Sequence, residues 1–202
     1  MVTTTTVIGL LAIPWLIFFV YWTSAIIYEA VTRKGKKIEK SEPLAVLLLS
    51  RLFLYISIIL VFTNSAHGLQ GYYPLGLNLL PNSIIIAYIG FAVTLSGILF
   101  AIWARIALGN NWSADAVLKE GQTLVRNGPY GMVRHPIYAG ITLGMLGSAV
   151  AENNIIGLIA VLFVLLFSYS RITYEEKFMK EKFGKEWEDY AKTVKEFVPW
   201  LW

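Results

Sequence analysis

The chain has 202 residues, 56% of them hydrophobic and 15% charged, with 17 Lys+Arg against 13 Asp+Glu, a formal net charge of +4, two His and no Cys. Soluble domains run to about 45–50% apolar and about 25% charged residues, so this balance excludes an ordinary soluble protein, and the apolar and aromatic content excludes disorder. The lack of Cys excludes disulfides, thiolate zinc sites, iron–sulfur clusters and a Cys nucleophile; with only two His, no metal centre is expected.

A helix that crosses a bilayer needs about 20 mostly apolar residues. The first such run is Val7–Tyr28, which holds no charged residue. It is too long for a cleavable signal peptide and has no basic residue before it. The second is Pro43–Ser65, interrupted only by Arg51, which stands near enough to Pro43 to snorkel to the interface. Ser65–Asn82, with Gly68, Gly71, Pro74, Gly76 and Pro81, reads as a loop. Ser83–Ala104 is the third span. Pro136–Ala151 and Asn154–Ser170 form a shorter pair, a helical hairpin turning at Glu152–Asn153–Asn154. Tyr174 to about Val194 predicts a polar helix broken at Gly184, with Phe178, Phe183, Trp187 and Tyr190 toward the bundle or the interface. Phe197–Trp202 is an aromatic tail suited to the headgroup level. The expected fold class is therefore all-α: a polytopic membrane bundle of about five helices, 7–28, 43–65, 83–104, 136–151 and 154–170, in one domain spanning 1–202.

Charge orients the bundle. Arg33, Lys34, Lys36, Lys37 and Lys40 follow the first span. Arg105, Lys119, Arg126 and Arg134 follow the third. Arg171, Lys177, Lys180, Lys182, Lys185, Lys192 and Lys195 follow the fifth. With five spans, every basic residue but Arg51 falls on one side, which the positive-inside rule makes cytoplasmic. The N-terminus is then expected outside and the C-terminus in the cytoplasm. These lysines suit an anionic leaflet and a solvated rim, and nucleic acid is not an expected partner.

One stretch on that side carries a density of chemistry. Gly128–Pro129 is a turn, and Arg134–His135–Pro136 is a helix start with Pro136 at the first helical position, where its missing N–H costs nothing. The free N–H groups and positive dipole end of that helix attract an anion. Tyr130 and Tyr138 flank it. Singly, each of these residues has a bland role: His135 as an interfacial helix start, Arg134 as a membrane anchor, the tyrosines as an aromatic belt. Their concentration within Tyr130–Tyr138 favours a small zwitterionic or anionic ligand. A second signal is Arg171–Ile172–Thr173–Tyr174–Glu175–Glu176. Arg171 and Glu175 are four apart on one helical face, where they either pair with each other or face two different ligands.

At Leu108–Gly109–Asn110–Asn111–Trp112–Ser113, Gln122–Thr123–Leu124–Val125, Gly128–Pro129–Tyr130 and Arg134–His135–Pro136–Ile137–Tyr138–Ala139–Gly140, the sequence resembles the isoprenylcysteine carboxyl methyltransferases. That family sits within a wider group that includes the membrane phospholipid methyltransferases. Glu175–Glu176, Phe183–Gly184, Tyr190 and Val198–Pro199 follow in the same order, so the resemblance covers roughly 105–200. It implies a catalytic region there and a cytosolic pocket for S-adenosylmethionine that uses no Rossmann domain. It implies that Gln122, Thr123, Leu124, Val125, Tyr130, His135, Pro136, Ile137, Tyr138 and Glu175 line the cofactor, and that Arg171 orients the substrate as the catalytic residue. The implied acceptor is a lipophilic or lipidated molecule drawn from the membrane lipids, first of all a prenylcysteine-like carboxylate. An N- or S-methyltransferase on a phospholipid or small molecule is the alternative, and it would need a base, with His135 or Glu175 first in line. A nicotinamide-dependent membrane reductase and a non-enzymatic scaffold or transporter are the rivals from other classes. The expected location is a prokaryotic cell membrane.

Overall fold

A computed structural model of the chain describes residues 3–32, 38–69, 81 and 83–198, with the backbone alone for 62–69. The basic residues Arg33–Lys37, most of the expected loop before Ser83, and the tail from Pro199 lie outside the described residues.

The first apolar run forms two helices, α1 (Thr4–Leu10) and α2 (Ala12–Thr32), rather than the one expected. Pro14 explains the break. It has no N–H to donate to the Leu10 carbonyl, and its ring crowds that carbonyl, so the helix restarts around Leu11. The second span, α3 (Leu44–Leu69), runs four residues further than expected, taking in Ser65–Leu69 of the predicted loop. α4 (Ile84–Leu108) and α5 (Pro136–Glu152) follow. α6 (Ile155–Phe183) corrects a second expectation, because it continues without interruption through Tyr174 as one 29-residue helix. The predicted break at Gly184 is present: Gly184 has φ +52°, a left-handed value natural to glycine, and α7 (Lys185–Thr193) starts after it. A short antiparallel ribbon of β1 (Ile38–Ser41) and β2 (Val117–Lys119) is an addition to the all-α expectation.

Among the described residues, four helical stretches are long and apolar enough to cross a membrane: Thr4–Thr32, Leu44–Val61, Ile84–Asn111 and Ile155–Phe183. α5, with 17 residues, rises only about 25 Å. It is sheathed by α4 and α6 and buries most of its side chains. The outer faces carry exposed Leu16, Val20, Leu48, Leu52, Ile85, Ile89 and Leu162. Such a surface would aggregate in water but is the normal lipid-facing one of an integral membrane bundle.

The closest packing is between α4 and α5. Gly90, Thr94, Gly97 and Ala101 form a stripe along α4, and Gly140, Gly144, Gly147 and Ala151 form the matching stripe along α5. A Cβ on Gly97 would sit 2.4 Å from the Gly144 backbone N, one on Gly90 2.4 Å from the Ala151 N, and one on Gly147 2.4 Å from the Thr94 N. The two backbones therefore touch directly, the arrangement that small residues permit in a membrane, where lipid offers no hydrophobic drive to helix pairing. Ser148 adds a polar pin, accepting from the Trp15 indole at 3.0 Å and lying 3.3 Å from the Thr94 hydroxyl.

The end of α2, the starts of α3 and α5, and the ends of α4 and α6 all meet at one face of the bundle, where the ribbon and the 109–135 segment are also found. Gly97→Val is expected to lower the stability of the purified protein in detergent by about 3 kcal/mol or more, since the added methyls have only backbone to displace. The exposed control Ser96→Ala should unfold at the wild-type temperature, as thermal unfolding will show.

Candidate active site at the convergent helix ends

A cavity of about 390 Å³ opens at that face. Its walls are of two kinds. One end is apolar and aromatic, built by Trp15, Phe18, Phe19, Trp22 and Ile26 of α2 with Leu54, Tyr55 and Ile58 of α3. The other is polar and is built by 111–117, 122–125, the start of α5, the end of α6, and Trp187 and Tyr190 of α7.

The structure brings together Gln122, Thr123, Leu124, Val125, Tyr130, His135, Ile137, Tyr138, Arg171 and Glu175 in this wall. Pro136 is the exception. It is buried at the first position of α5 and does not line the cavity, whereas its neighbours His135 and Ile137 do. The loop 122–125 is held by local bonds: the Lys119 N–H donates to the Gln122 side chain at 3.1 Å, and the Thr123 N–H to the Asn111 side chain at 2.9 Å.

Arg171 is 4% exposed and sits at the centre of a branched network. Its Nε donates to the Tyr138 hydroxyl at 3.1 Å, its Nη1 to Glu42 Oε1 at 2.9 Å and its Nη2 to the Ala114 carbonyl at 3.1 Å. The Tyr138 hydroxyl in turn donates to Glu175 Oε1. Arg171 and Glu175 are thus joined through a tyrosine, and the direct i,i+4 pair that the spacing allowed gives way to a partner 129 residues distant.

His135 is buried between two carboxylates. Its Nε2 lies 3.1 Å from Glu176 Oε1 and its Nδ1 3.7 Å from Glu175 Oε2. Burial alone would lower its pKa, but the Glu175 and Glu176 carboxylates outweigh that and hold it above the ordinary value of 6.5. Arg134 also lines the cavity and ties α6 to the chain that follows α7: Nε donates to Glu176 at 2.7 Å and Nη1 to the Val194 carbonyl at 2.7 Å. The backbone joins in, with Arg134 N–H on Lys195 O at 2.8 Å and His135 N–H on Glu196 O at 3.0 Å. Burial also pushes the Tyr190 hydroxyl up to about 12, so it remains a donor, and it reaches the Tyr130 carbonyl at 2.7 Å.

Sequence reasoning missed Glu42, Asp115, Trp112 and Trp187. Trp112 belongs to a stretch that carries the resemblance but holds none of the expected site residues, and Trp187 is expected only on a packing face. The one local signal for Glu42 is an acidic residue set directly before the proline that opens a span.

Fold and site together define an integral membrane helix bundle with a polar pocket at one end that runs into an aromatic slot between its first long helices. The chain belongs to the phospholipid methyltransferase family, whose model matches residues 85–186, about half of its length. Among curated relatives, a probable protein-S-isoprenylcysteine O-methyltransferase of Oryza sativa subsp. indica is 29% identical over 57% of this chain and 62% of its own. Protein-S-isoprenylcysteine O-methyltransferase B of Arabidopsis thaliana is 37% identical over 41% of this chain and 43% of its own. The cobalt-zinc-cadmium resistance protein CzcN of Cupriavidus metallidurans is 33% identical over 46% and 44%. The chain therefore spans less than two thirds of the length of these relatives. The solved eukaryotic intramembrane Ras methyltransferase, an isoprenylcysteine carboxyl methyltransferase, shares the fold, with TM-score 0.53 and 19% identity over 81% of this chain and 55% of that one.

The raised pKa of His135 has a consequence for stability. A group whose pKa is higher folded than unfolded stabilises the fold fully below its unfolded pKa, about 6.5, and loses that contribution as pH rises through the folded value. Thermal unfolding in detergent should therefore move to lower temperature as pH rises from 6 past the folded pKa of His135. His135→Gln should flatten that dependence.

Proposed function

We propose that the protein transfers the methyl group of S-adenosylmethionine to an ionised carboxylate on a prenylcysteine-like lipid, forming a methyl ester at the cytoplasmic side of the membrane. The observation that carries this is the continuity of one cavity from a polar, carboxylate- and tyrosine-lined end to an aromatic slot between α2 and α3, with Arg171 in its wall. A polar donor and an oily acceptor need such a two-ended chamber.

The residues suit the donor. A volume of 390 Å³ falls in the range of about 300–1,000 Å³ typical of small-molecule sites. Glu175 offers a carboxylate, and Tyr130, Tyr138, Trp187 and Tyr190 offer aromatic faces, which favour a cationic centre and a flat base. His135 and Ile137, at the start of α5, lie beside that helix's N-terminus, and Gln122–Val125 close the opposite wall. When bound, the donor supplies a methyl group already activated by its positive sulfur. What remains for the chain is to hold the two reactants in line and exclude water from the nucleophile.

A carboxylate acceptor is ionised near neutral pH and needs no general base. Three of the five N–H donors of Arg171 are committed to Tyr138, Glu42 and Ala114. The two left over suit one carboxylate oxygen and leave the other free to attack. Tyr138 couples the two ends of the site, since its hydroxyl accepts from Arg171 and donates to Glu175. The positive side of the bundle is the one that carries the pocket, in keeping with access from the cytoplasm and an outside N-terminus. The match to the phospholipid methyltransferase model favours a second reading, in which an amine of a phospholipid is the acceptor and His135 or Glu175 takes its proton.

The test is transfer of labelled methyl from S-adenosylmethionine to a lipid extract and to N-acetyl-S-farnesylcysteine, followed by base treatment. Volatile methanol identifies the ester, whereas a base-stable label identifies the amine or thioether product. Arg171→Ala should reduce ester formation by about a hundredfold or more while the donor still binds, as expected for lost alignment of the nucleophile. Glu175→Ala should instead weaken donor binding, measured by calorimetry. Unchanged donor affinity in that variant removes Glu175 from the donor site.

A further inference from the structure

Arg171 does not wait in the pocket as a bare cation. The structure assigns Glu42 as its built-in counter-ion, and we propose that Glu42 is a positioning residue that weakens the grip of Arg171 on the acceptor's carboxylate, so that its free oxygen stays nucleophilic. This rests on the ester-forming reading above and deepens it.

Four observations carry the inference. First, the pair is fully enclosed: the side chains of Arg171 and Glu42 are 4% and 2% exposed, and Nη1 lies 2.9 Å from Oε1. So enclosed, the pair is screened less than one on the surface, so Glu42 acts on Arg171 more strongly than an exposed partner would. Second, Glu42 is fixed in place. Its backbone N–H donates to the Ala116 carbonyl at 3.0 Å, and the Ala116 N–H donates back to Glu42 Oε1 at 3.0 Å. That reciprocal clasp continues the β1–β2 ribbon and anchors the carboxylate independently of Arg171. Third, Oε2 of Glu42 is buried and has no hydrogen-bond partner among the described residues. An arrangement selected for stability alone would satisfy that oxygen or replace the pair by apolar groups, because buried ion pairs are poor stabilisers. Fourth, Ala114 and Ala116, whose backbones touch Arg171 and Glu42, both line the cavity beside Arg171. The counter-ion therefore stands directly behind the group that faces the acceptor.

The chemistry requires such moderation. In ester formation the carboxylate oxygen forms a bond to the methyl carbon as the carbon–sulfur bond breaks, and the acceptor's negative charge is consumed. An uncompensated guanidinium binds the charged ground state more tightly than the transition state, in which that charge is being lost. It would thus lower KM and kcat together. A guanidinium already neutralised by Glu42 keeps its directional N–H donors and sheds most of the excess attraction.

The experiment uses the full-length protein in detergent or nanodiscs, with N-acetyl-S-farnesylcysteine and its methyl ester as probes. Binding is read by tryptophan fluorescence without the donor, and turnover by methyl transfer with it. Glu42→Gln keeps the shape and the contact to Ala116 but removes the charge. It should bind the acid about tenfold more tightly, leave affinity for the methyl ester unchanged, and lower kcat by about tenfold. Glu42→Asp, which restores the charge, should return the acid-to-ester ratio of affinities toward wild type. A merely structural role would weaken both probes alike and would overturn the proposal, as would an unchanged acid affinity in a folded Glu42→Gln protein. Should that variant not fold, the wild type decides. A compensated Arg171 predicts less than about tenfold preference for acid over ester, and a larger preference sinks the idea. Wild-type protein that binds the acid but methylates no carboxylate would instead overturn the ester-forming reading itself.

Discussion

Two helix backbones in contact set the position of everything else. Because α4 and α5 carry glycine where they cross, their backbones meet directly at Gly90, Gly97 and Gly147, and the register of α5 is fixed by that close approach. The N-terminus of α5 holds His135, and its first turn presents Tyr138 to the cavity. A shift of α5 by even a fraction of a turn would break the line of bonds from Arg171 through Tyr138 to Glu175. The short length of α5 follows from the same constraint, since a helix packed so tightly by α4 and α6 need not meet lipid along its whole extent.

On that frame, charge is gathered in pairs rather than scattered. Glu42 lies against Arg171, Glu176 between Arg134 and His135, and Glu29 against Lys119, Ser113 and Ala114. Each pair joins segments far apart in the chain, so the polar end of the pocket is also the clasp that closes the bundle. The aromatic end has the opposite character. Phe18 stacks on Trp22 at 4.7 Å, Trp22 meets Trp112 edge-on at 5.6 Å, and the slot is lined by rings with no charge among them. Stabilising forces of two kinds thus meet along one chamber.

The membrane spans were legible in the sequence because hydrophobic length is a local property. The helices that begin at Ile84 and Ile155 needed only a window of apolar residues to be found. Part of the polar wall was legible too, because Gln122–Val125 and Tyr130–Tyr138 lie close together in the chain and a resemblance pointed to them. What stayed hidden was non-local. The partner of Arg171 is 129 residues away and carries no motif. The glycine stripe has a visible signal, a repeated spacing shared by Gly90–Ala101 and Gly140–Ala151, but each half means little until the two helices face each other. The break near Leu11 has its signal in Pro14, yet a proline's missing donor kinks some helices and ends others, and the choice depends on packing. The extension of α6 past Ser170 shows that polarity ends a membrane span without ending the helix.

The strand-like pairing of 194–196 with 133–135 has a consequence for how the molecule is made. The backbone donors of Arg134 and His135 find their acceptors in Lys195 and Glu196, and Arg134 closes on Val194. A ribosome delivering the chain into a membrane would release Arg134 some sixty residues before its acceptor at Val194 exists. The bundle could then assemble from its apolar faces while the chamber stays open, and the site would become whole only as residues 194–196 fold back over it.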